Sequence, residues 1–353
     1  MKPDSRPDTR PGRDQTVLQL LRPLAPFLER PDVTEVSINR PGEVWTKTLQ
    51  GWSSVKVPEL TMSYLQSLAT AIIVYNGVPP KSVVLVTLPG GQRGQIVTPP
   101  ACLPDTISFS LRKHTAVVKT LEELETEGAF DAVSDVSFHK PTAAECADLL
   151  RASDITRLEP FEAELLTLKR DGRMRAFLEA CVHHKRNIIV AGKTDSGKTT
   201  FARSLIAKVP TSERVVTMED THELRIESHP NRVHMLYGEG PGRISATACL
   251  ESCMRMSPDR IFLAELKGNE TWDYVSSLNT GHPGSVTTVH ADSAVLTFAR
   301  LAQLIKQGEA GRQLDMEFIK LTLFSRVNVV LFFRTRKLVE VFYDPIFAKA
   351  KLV

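Results

Sequence analysis

Asn187-Ile188-Ile189-Val190-Ala191 runs directly into Gly192-Lys193-Thr194-Asp195-Ser196-Gly197-Lys198-Thr199, with Thr200 following. The first segment is short and apolar, which predicts a buried strand over 187–191. The second matches G-x-x-x-x-G-K-[ST] without a gap, and a helical pattern follows over Lys198–Ala207. Strand, glycine-bearing loop and helix in this order make a phosphate cradle. Backbone N–H groups close around phosphate oxygens, and the helix N-terminus adds partial positive charge. Residues 192–200 are therefore the expected nucleotide-binding loop. Lys198 is expected to reach the β- and γ-phosphates, and the Thr199 hydroxyl to ligate Mg²⁺.

Outward from the loop, strands and helices alternate. Strands are predicted at Arg214–Met218, Arg260–Leu266 and Ser285–His290, and helices at Thr247–Met256, Glu270–Leu278 and Leu296–Lys306. Phe161, Leu165 and Leu168 give one earlier helical face; Met174, Phe177, Leu178, Cys181 and Val182 give another. This pattern predicts an α/β sheet covered on both faces over 159–353. Ligands of such sheets lie beyond the carboxyl ends of the strands. Glu265 ends one apolar strand, and Glu219 and Asp220 end another. A nucleoside triphosphate site needs an acid to hold Mg²⁺ through water and to orient the attacking water. Glu265 is expected in that role, with Glu219 as a second acid on the water–Mg²⁺ side. Asp220 and Glu223 are as readily turn or capping acids. His282 and His290 bracket the strand at 285–290, and an imidazole at its carboxyl end suits a sensor of the γ-phosphate. His183, His184 and His222 follow no recognisable spacing and are read as structural.

The first part of the chain has a different texture. Residues 1–14 alternate charge and proline and predict a disordered tail. Residues 15–130 read as a smaller α+β domain: strands at Val33–Asn39 and Val44–Leu49 around the turn Arg40-Pro41-Gly42-Glu43, a helix at Ser63–Tyr75, a hairpin of Val83–Leu88 and Gln92–Thr98, and an alternating strand at Thr106–Arg112. Residues 131–158 read as a linker with one short helix at Ala143–Ala152.

Lys plus Arg number 44 and Asp plus Glu 41, a net charge of +3. That balance argues against a dedicated non-specific DNA binder. The hydrophobic share of 42% and charged share of 24% suit a globular protein with a core. No apolar run reaches the ~18 residues of a membrane span. The polar start resembles no export signal, and the five cysteines include no C-x-x-C pair, so a reducing cytoplasm is expected. Cys249 and Cys253, one helical turn apart, are read as small core residues.

Taken together, Gly192–Thr200, Glu219-Asp220, Arg260–Gly268 and Gly281–His290 resemble the secretion ATPase superfamily, whose members carry a Walker A loop, an Asp box, an atypical Walker B strand and a His box in this order. Val33–Trp45, Gly94–Val97 and Ile107–Lys113 are similar to the opening domain of the Vir-type assembly ATPases of type IV secretion systems. The resemblance covers about 15–345. It implies a RecA-like motor domain after the α+β domain, a homohexameric ring, and ATP hydrolysis with Mg²⁺. The ring would lie at the cytoplasmic face of a bacterial inner membrane, in peripheral association with membrane components of the secretion complex, and power conjugative pilus assembly or substrate transfer. The resemblance also implies that ATP lies at the domain interface, closed by arginines that match Arg93 and Arg112. Arg300 suits a further phosphate sensor or a helix-surface ion pair.

Two positions depart from the family pattern. Asp195 stands where a glycine is usual, and Lys267 where an arginine is usual after Glu265-Leu266. A carboxylate in the loop bears on nucleotide affinity, and Lys267 cannot make a bidentate contact. Three rival readings are weighed: a type II secretion or pilus-retraction ATPase, disfavoured by the lack of a tetracysteine module; a RecA-type nucleic-acid motor, disfavoured by the small net charge; and a nucleotide-gated scaffold with negligible turnover, kept open by Asp195.

Overall fold

The computed structural model describes residues 13–48, 50–113, 118–238, 242–278 and 281–351. It divides into two compact units, Met1–Ala116 with Gly240–Gly242 and Val117–Glu239 with Arg243–Val353. Residues 1–12 of the expected tail lie outside the described residues, and Arg13 and Asp14 open the first helix.

The first unit contains α1 (Arg13–Leu20), α2 (Ala25–Leu28), β1 (Glu35–Ile38), β2 (Glu43–Thr48), β3 (Gly51–Lys56), α3 (Met62–Asn76), β4 (Val83–Thr87), β5 (Arg93–Val97) and β6 (Ser108–Arg112). Its strands form an antiparallel sheet in the order β3-β2-β1-β6-β5-β4. Alternation buries Val36, Ile38, Ile96, Phe109 and Leu111 against Leu65, Leu68 and Ile72 of α3. Gly42 has φ +81°, the left-handed value that the third position of a type II turn requires. The sequence pattern misses β3 because every one of its residues is exposed, so no apolar alternation marks it.

The second unit contains α4 (Leu121–Thr126), β7 (Ser134–Asp135), α5 (Ala143–Arg151), α6 (Pro160–Arg170), α7 (Met174–His183), β8 (Ile188–Gly192), α8 (Lys198–Ile206), β9 (Val215–Glu219) and β10 (Arg232–Leu236). It continues with α9 (Ala246–Met254), β11 (Arg260–Leu266), α10 (Glu270–Ser277), β12 (Val286–Val289), α11 (Ala294–Gln307), α12 (Met316–Arg326), β13 (Val329–Arg334), β14 (Lys337–Phe342) and α13 (Pro345–Ala350). The sheet order is β10-β9-β11-β12-β8-β13-β14-β7. From β10 to β13 the strands are parallel; among the described residues of this sheet only the β13–β14 pair is antiparallel. One apolar layer gathers Phe177, Phe201, Leu205, Phe262 and Phe333; the other gathers Met218, Leu250, Leu263, Phe298 and Phe332. Both faces are thus covered, as the alternation of strands and helices requires.

Segment 131–158, read as a linker, contributes to this unit. Here β7 adds to the sheet edge beside β14, and Cys146 and Leu158 are buried in the core. The ammonium of Lys169, itself buried, bonds Asp135 Oδ2 at 2.9 Å, Ser137 Oγ at 2.8 Å and the Tyr343 carbonyl at 2.8 Å. These anchors are polar and far apart in sequence, so apolar periodicity gives no sign of them. Cys181, Cys249 and Cys253 are buried as expected, and the cysteines among the described residues are free thiols. Among the described residues no helix is long and apolar enough to cross a membrane.

Candidate active site

The parallel register decides which strand-end residues meet. β8 lies between β12 and β13, and its last residue opens the phosphate loop. The loop needs its glycines. At Gly192, with φ +152°, a Cβ would lie 2.4 Å from the Phe333 carbonyl oxygen and 2.7 Å from Ser196 Oγ. Gly197 has φ +97° and caps α8. Asp195 adopts φ +61° and is exposed, so the aspartate takes the left-handed conformation in which glycine is usual. Ser196 Oγ is buried within the loop and has no hydrogen-bond partner among the described residues. Lys193 pairs with Asp292 at 3.7 Å.

Lys198, at the N-terminus of α8, is buried and folds back over the loop. Its Nζ donates to the carbonyls of Gly192 and Lys193, both at 2.8 Å, and lies 3.3 Å from His290 Nδ1. An ammonium can only donate, so Nδ1 accepts and the ring proton sits on Nε2. His290 Nε2 in turn meets Glu265 Oε1 at 2.8 Å. Glu265 Oε2 lies 3.2 Å from Lys267 Nζ, which also reaches Asp220 Oδ2 at 2.8 Å. A continuous polar chain thus runs from the phosphate loop through the end of β12 to the ends of β11 and β9. Burial pushes the Glu265 carboxyl up, but the His290 hydrogen bond and the Lys267 charge outweigh it and hold it at about 2.

The structure separates some residues that the sequence groups. Val215, Thr217 and Glu219 alternate with Val216 and Met218, and the two sets enter opposite layers of the sheet. Glu219 is fully buried in a cluster of its own. Its Oε1 accepts from the Thr217 hydroxyl at 2.8 Å and meets His222 Nδ1 at 3.1 Å. Its Oε2 accepts from the backbone N–H groups of Glu223 and Leu224 at 2.6 and 2.8 Å. Burial raises this carboxyl, but the contacts with His222 and His234 and the two backbone N–H groups outweigh it and pull it well below the carboxylate range. The acid that joins the chain at the end of β9 is Asp220, one residue further on. Residue parity at a strand end separates the two, and spacing alone does not.

His282 is also apart from the loop. It precedes β12, at the end opposite His290, and its Nδ1 meets the Pro258 carbonyl at 2.8 Å. Gly284 beside it packs on Arg260, so the Gly281–Ser285 stretch is an anchor. Arg300 lies on α11 and lines an open cavity of about 1230 Å³ together with Lys193, Thr194, His290 and Asp292. Arg93 and Arg112 lie in the first unit, directly opposite each other on β5 and β6, and Glu35 of β1 lies opposite Arg112 on the other side. Sequence reading missed His234, which joins the Glu219 cluster only through the pairing of β10 with β9.

Residues 141–339 match the type II/IV secretion system protein family. The type IV secretion system protein VirB11 of Brucella abortus biovar 1 (strain 9-941) is 41% identical over 340 residues, covering 92% of this chain and 89% of that protein. PtlH of Bordetella pertussis, also a type IV secretion system protein, is 35% identical over 331 residues, covering 92% of each. Among solved structures, the VirB11 ATPase of Brucella suis in complex with sulphate matches with TM-score 0.53 and 39% identity, over 96% of this chain and 98% of that one. The pilus retraction motor PilT with bound ADP shares the fold at TM-score 0.56 and 16% identity, over 89% of this chain and 77% of that one. With its phosphate loop, strand-end acid and strand-end histidine joined in one chain of contacts, this protein belongs to the type II/IV secretion system family and is a secretion ATPase of the VirB11 type.

Proposed function

We propose that the chain hydrolyses ATP with Mg²⁺ as a homohexameric ring, and that this turnover drives conjugative pilus assembly or substrate transfer in type IV secretion. The observation that carries the reading is the contact chain Lys198–His290–Glu265, which ties the phosphate loop to the acid two strands away. In the nucleotide complex Lys198 exchanges the carbonyls of Gly192 and Lys193 for β- and γ-phosphate oxygens. Loop residues 192–200 surround the phosphates with N–H donors. Glu265, held ionised, accepts a hydrogen bond from the attacking water, and His290 reports the γ-phosphate through Lys198. Lys267 and Asp220 hold Glu265 in place. Glu219 then acts by fixing the turn that carries Asp220. Arg93 and Arg112 supply positive charge to the phosphates during turnover.

The residues present fit a hard dication. Thr199 offers a half-buried hydroxyl at the start of α8 and Glu265 a half-buried carboxylate, both oxygen donors, as Mg²⁺ prefers. Thr199 would hold the ion directly and Glu265 through water, and Mg²⁺ would supply neutralisation of phosphate charge. Work within type IV secretion goes with a cytoplasmic location, peripheral at the inner membrane through partners in the secretion complex.

The reading is tested by steady-state ATPase assay of the full chain and of Lys198→Ala. Turnover is expected to fall to background in the variant. Retention of most of the activity would rule out the loop as the catalytic site.

A further inference from the structure

Glu219, His222 and His234 come from three separate segments: the end of β9, the turn after it, and the edge strand β10. Parallel pairing places His234 beside Thr217, on the side of the sheet that carries Glu219. The ligand-capable atoms of the three residues all lie within 4.8 Å of one another. His222 Nδ1 is 3.1 Å and His234 Nδ1 is 3.7 Å from Glu219 Oε1. We propose that these three residues form a binding site for a transition-metal dication of the Zn²⁺ class, separate from the Mg²⁺ that accompanies ATP.

The geometry is close to what such an ion needs. Bonds of about 2.0–2.1 Å to N and O place tetrahedral ligand atoms about 3.3 Å apart; the two Glu219–histidine separations, 3.1 and 3.7 Å, bracket that value, and the two imidazoles lie within 4.8 Å of each other. The carboxylate is already oriented. Two backbone N–H groups occupy Oε2 and turn Oε1 toward the two imidazoles. The Thr217 hydroxyl donates to Oε1 at 2.8 Å and helps hold that oxygen in place; its contact with His234 Nδ1, also 2.8 Å, is the one the metal would replace. The side chains of His222 and His234 are 40% and 23% exposed, which leaves an open side for a completing water.

The donor set chooses the ion. Two imidazole nitrogens and one carboxylate oxygen suit Zn²⁺, Co²⁺, Ni²⁺ or Cu²⁺ and disfavour Mg²⁺ and Ca²⁺, which take oxygen. Binding uses the Nδ1 lone pairs, so any proton on Nδ1 moves to Nε2 or is released to solvent. The bound ion would clamp the 220–224 turn to β10. Asp220 sits on that turn and bonds Lys267, which bonds Glu265. Occupancy therefore fixes one end of the acid chain at the candidate active site.

The test titrates the nucleotide-free, full-length protein with Co²⁺ and follows its visible absorption, with Zn²⁺ as competitor. One equivalent should bind with a tetrahedral spectrum, be displaced by Zn²⁺, and be unaffected by excess Mg²⁺. His222→Ala and His234→Ala should each weaken binding by about tenfold or more, while His183→Ala leaves it unchanged. Thermal melting of each variant in EDTA checks its fold. X-ray absorption of the Co²⁺-loaded unmodified protein should count two imidazoles, independently of any variant. Equal affinity in both histidine variants, competition by Mg²⁺, or fewer than two imidazoles at the metal would overturn the proposal.

Discussion

Asp195 is the residue where the chain departs most from the usual phosphate loop. The loop closes because aspartate accepts φ +61° more readily than most residues. Its charge remains next to the expected phosphates, and a carboxylate there opposes a triphosphate. Asp195→Gly should therefore tighten nucleotide binding several-fold in equilibrium titration with a fluorescent ATP analogue. Equal or weaker affinity would show that the side chain is turned away at no cost. Glu265 supports a second prediction. Its folded-state value of about 2 lies below the ordinary 4.5. The contact with His290 thus stabilises the fold fully above the ordinary value and is lost as pH falls from there toward 2. His290→Asn removes the largest lowering contact, so the Glu265 transition should rise by about one pH unit or more in a carboxyl NMR titration. An unmoved transition would assign the shift to Lys267 alone. The loop, Glu265 and His290 are legible in the sequence because each closes an apolar run. The choice of Asp220 over Glu219 is not, because it turns on which face of β9 each residue takes.

At the scale of elements, the sheet depends on how β11 and β12 begin. Arg260 opens β11 and is 1% exposed. It makes a two-pronged pair with Glu213, at 2.7 and 3.1 Å, and donates to the Val182 carbonyl at 2.9 Å. Gly284, just before β12, has φ +85°, and a Cβ there would lie 2.7 Å from Arg260 Nη1. This accounts physically for a glycine in the Gly281–Ser285 stretch. Removing Glu213 leaves a buried guanidinium without its partner, so Glu213→Ala should lower stability by about 3 kcal/mol in urea unfolding. A loss below about 1 kcal/mol would mean that the carbonyls alone satisfy Arg260. β10 and β3 escape a sequence reading for one reason. Both are edge strands with little burial: β3 shows no apolar alternation, and β10 alternates only over Arg232–Met235, too briefly to stand out from the polar residues before it.

At the scale of the whole molecule, a ring requires that each copy present a surface to the next. Within the second unit, Leu296 of α11 is 55% exposed and Phe318 of α12 is 50% exposed, with Val295 and Met316 also open. Single exposed apolar side chains are ordinary, but a group of them on neighbouring helices marks an interaction face. Val295, Leu296 and Met316 also line the cavity that Lys193 and Thr194 of the phosphate loop share. A contact made there would link assembly to the nucleotide site. Leu296→Glu places a charge on that face without touching the core, so the unfolding midpoint should stay within about 0.5 kcal/mol of the unmodified protein. Native mass spectrometry should show six copies for the unmodified chain and smaller species for the variant, with turnover per subunit falling alongside. Because the net charge is only +3, added DNA should leave turnover unchanged in both. Six-copy rings of Leu296→Glu at the same protein concentration would place the contact surface elsewhere on the chain.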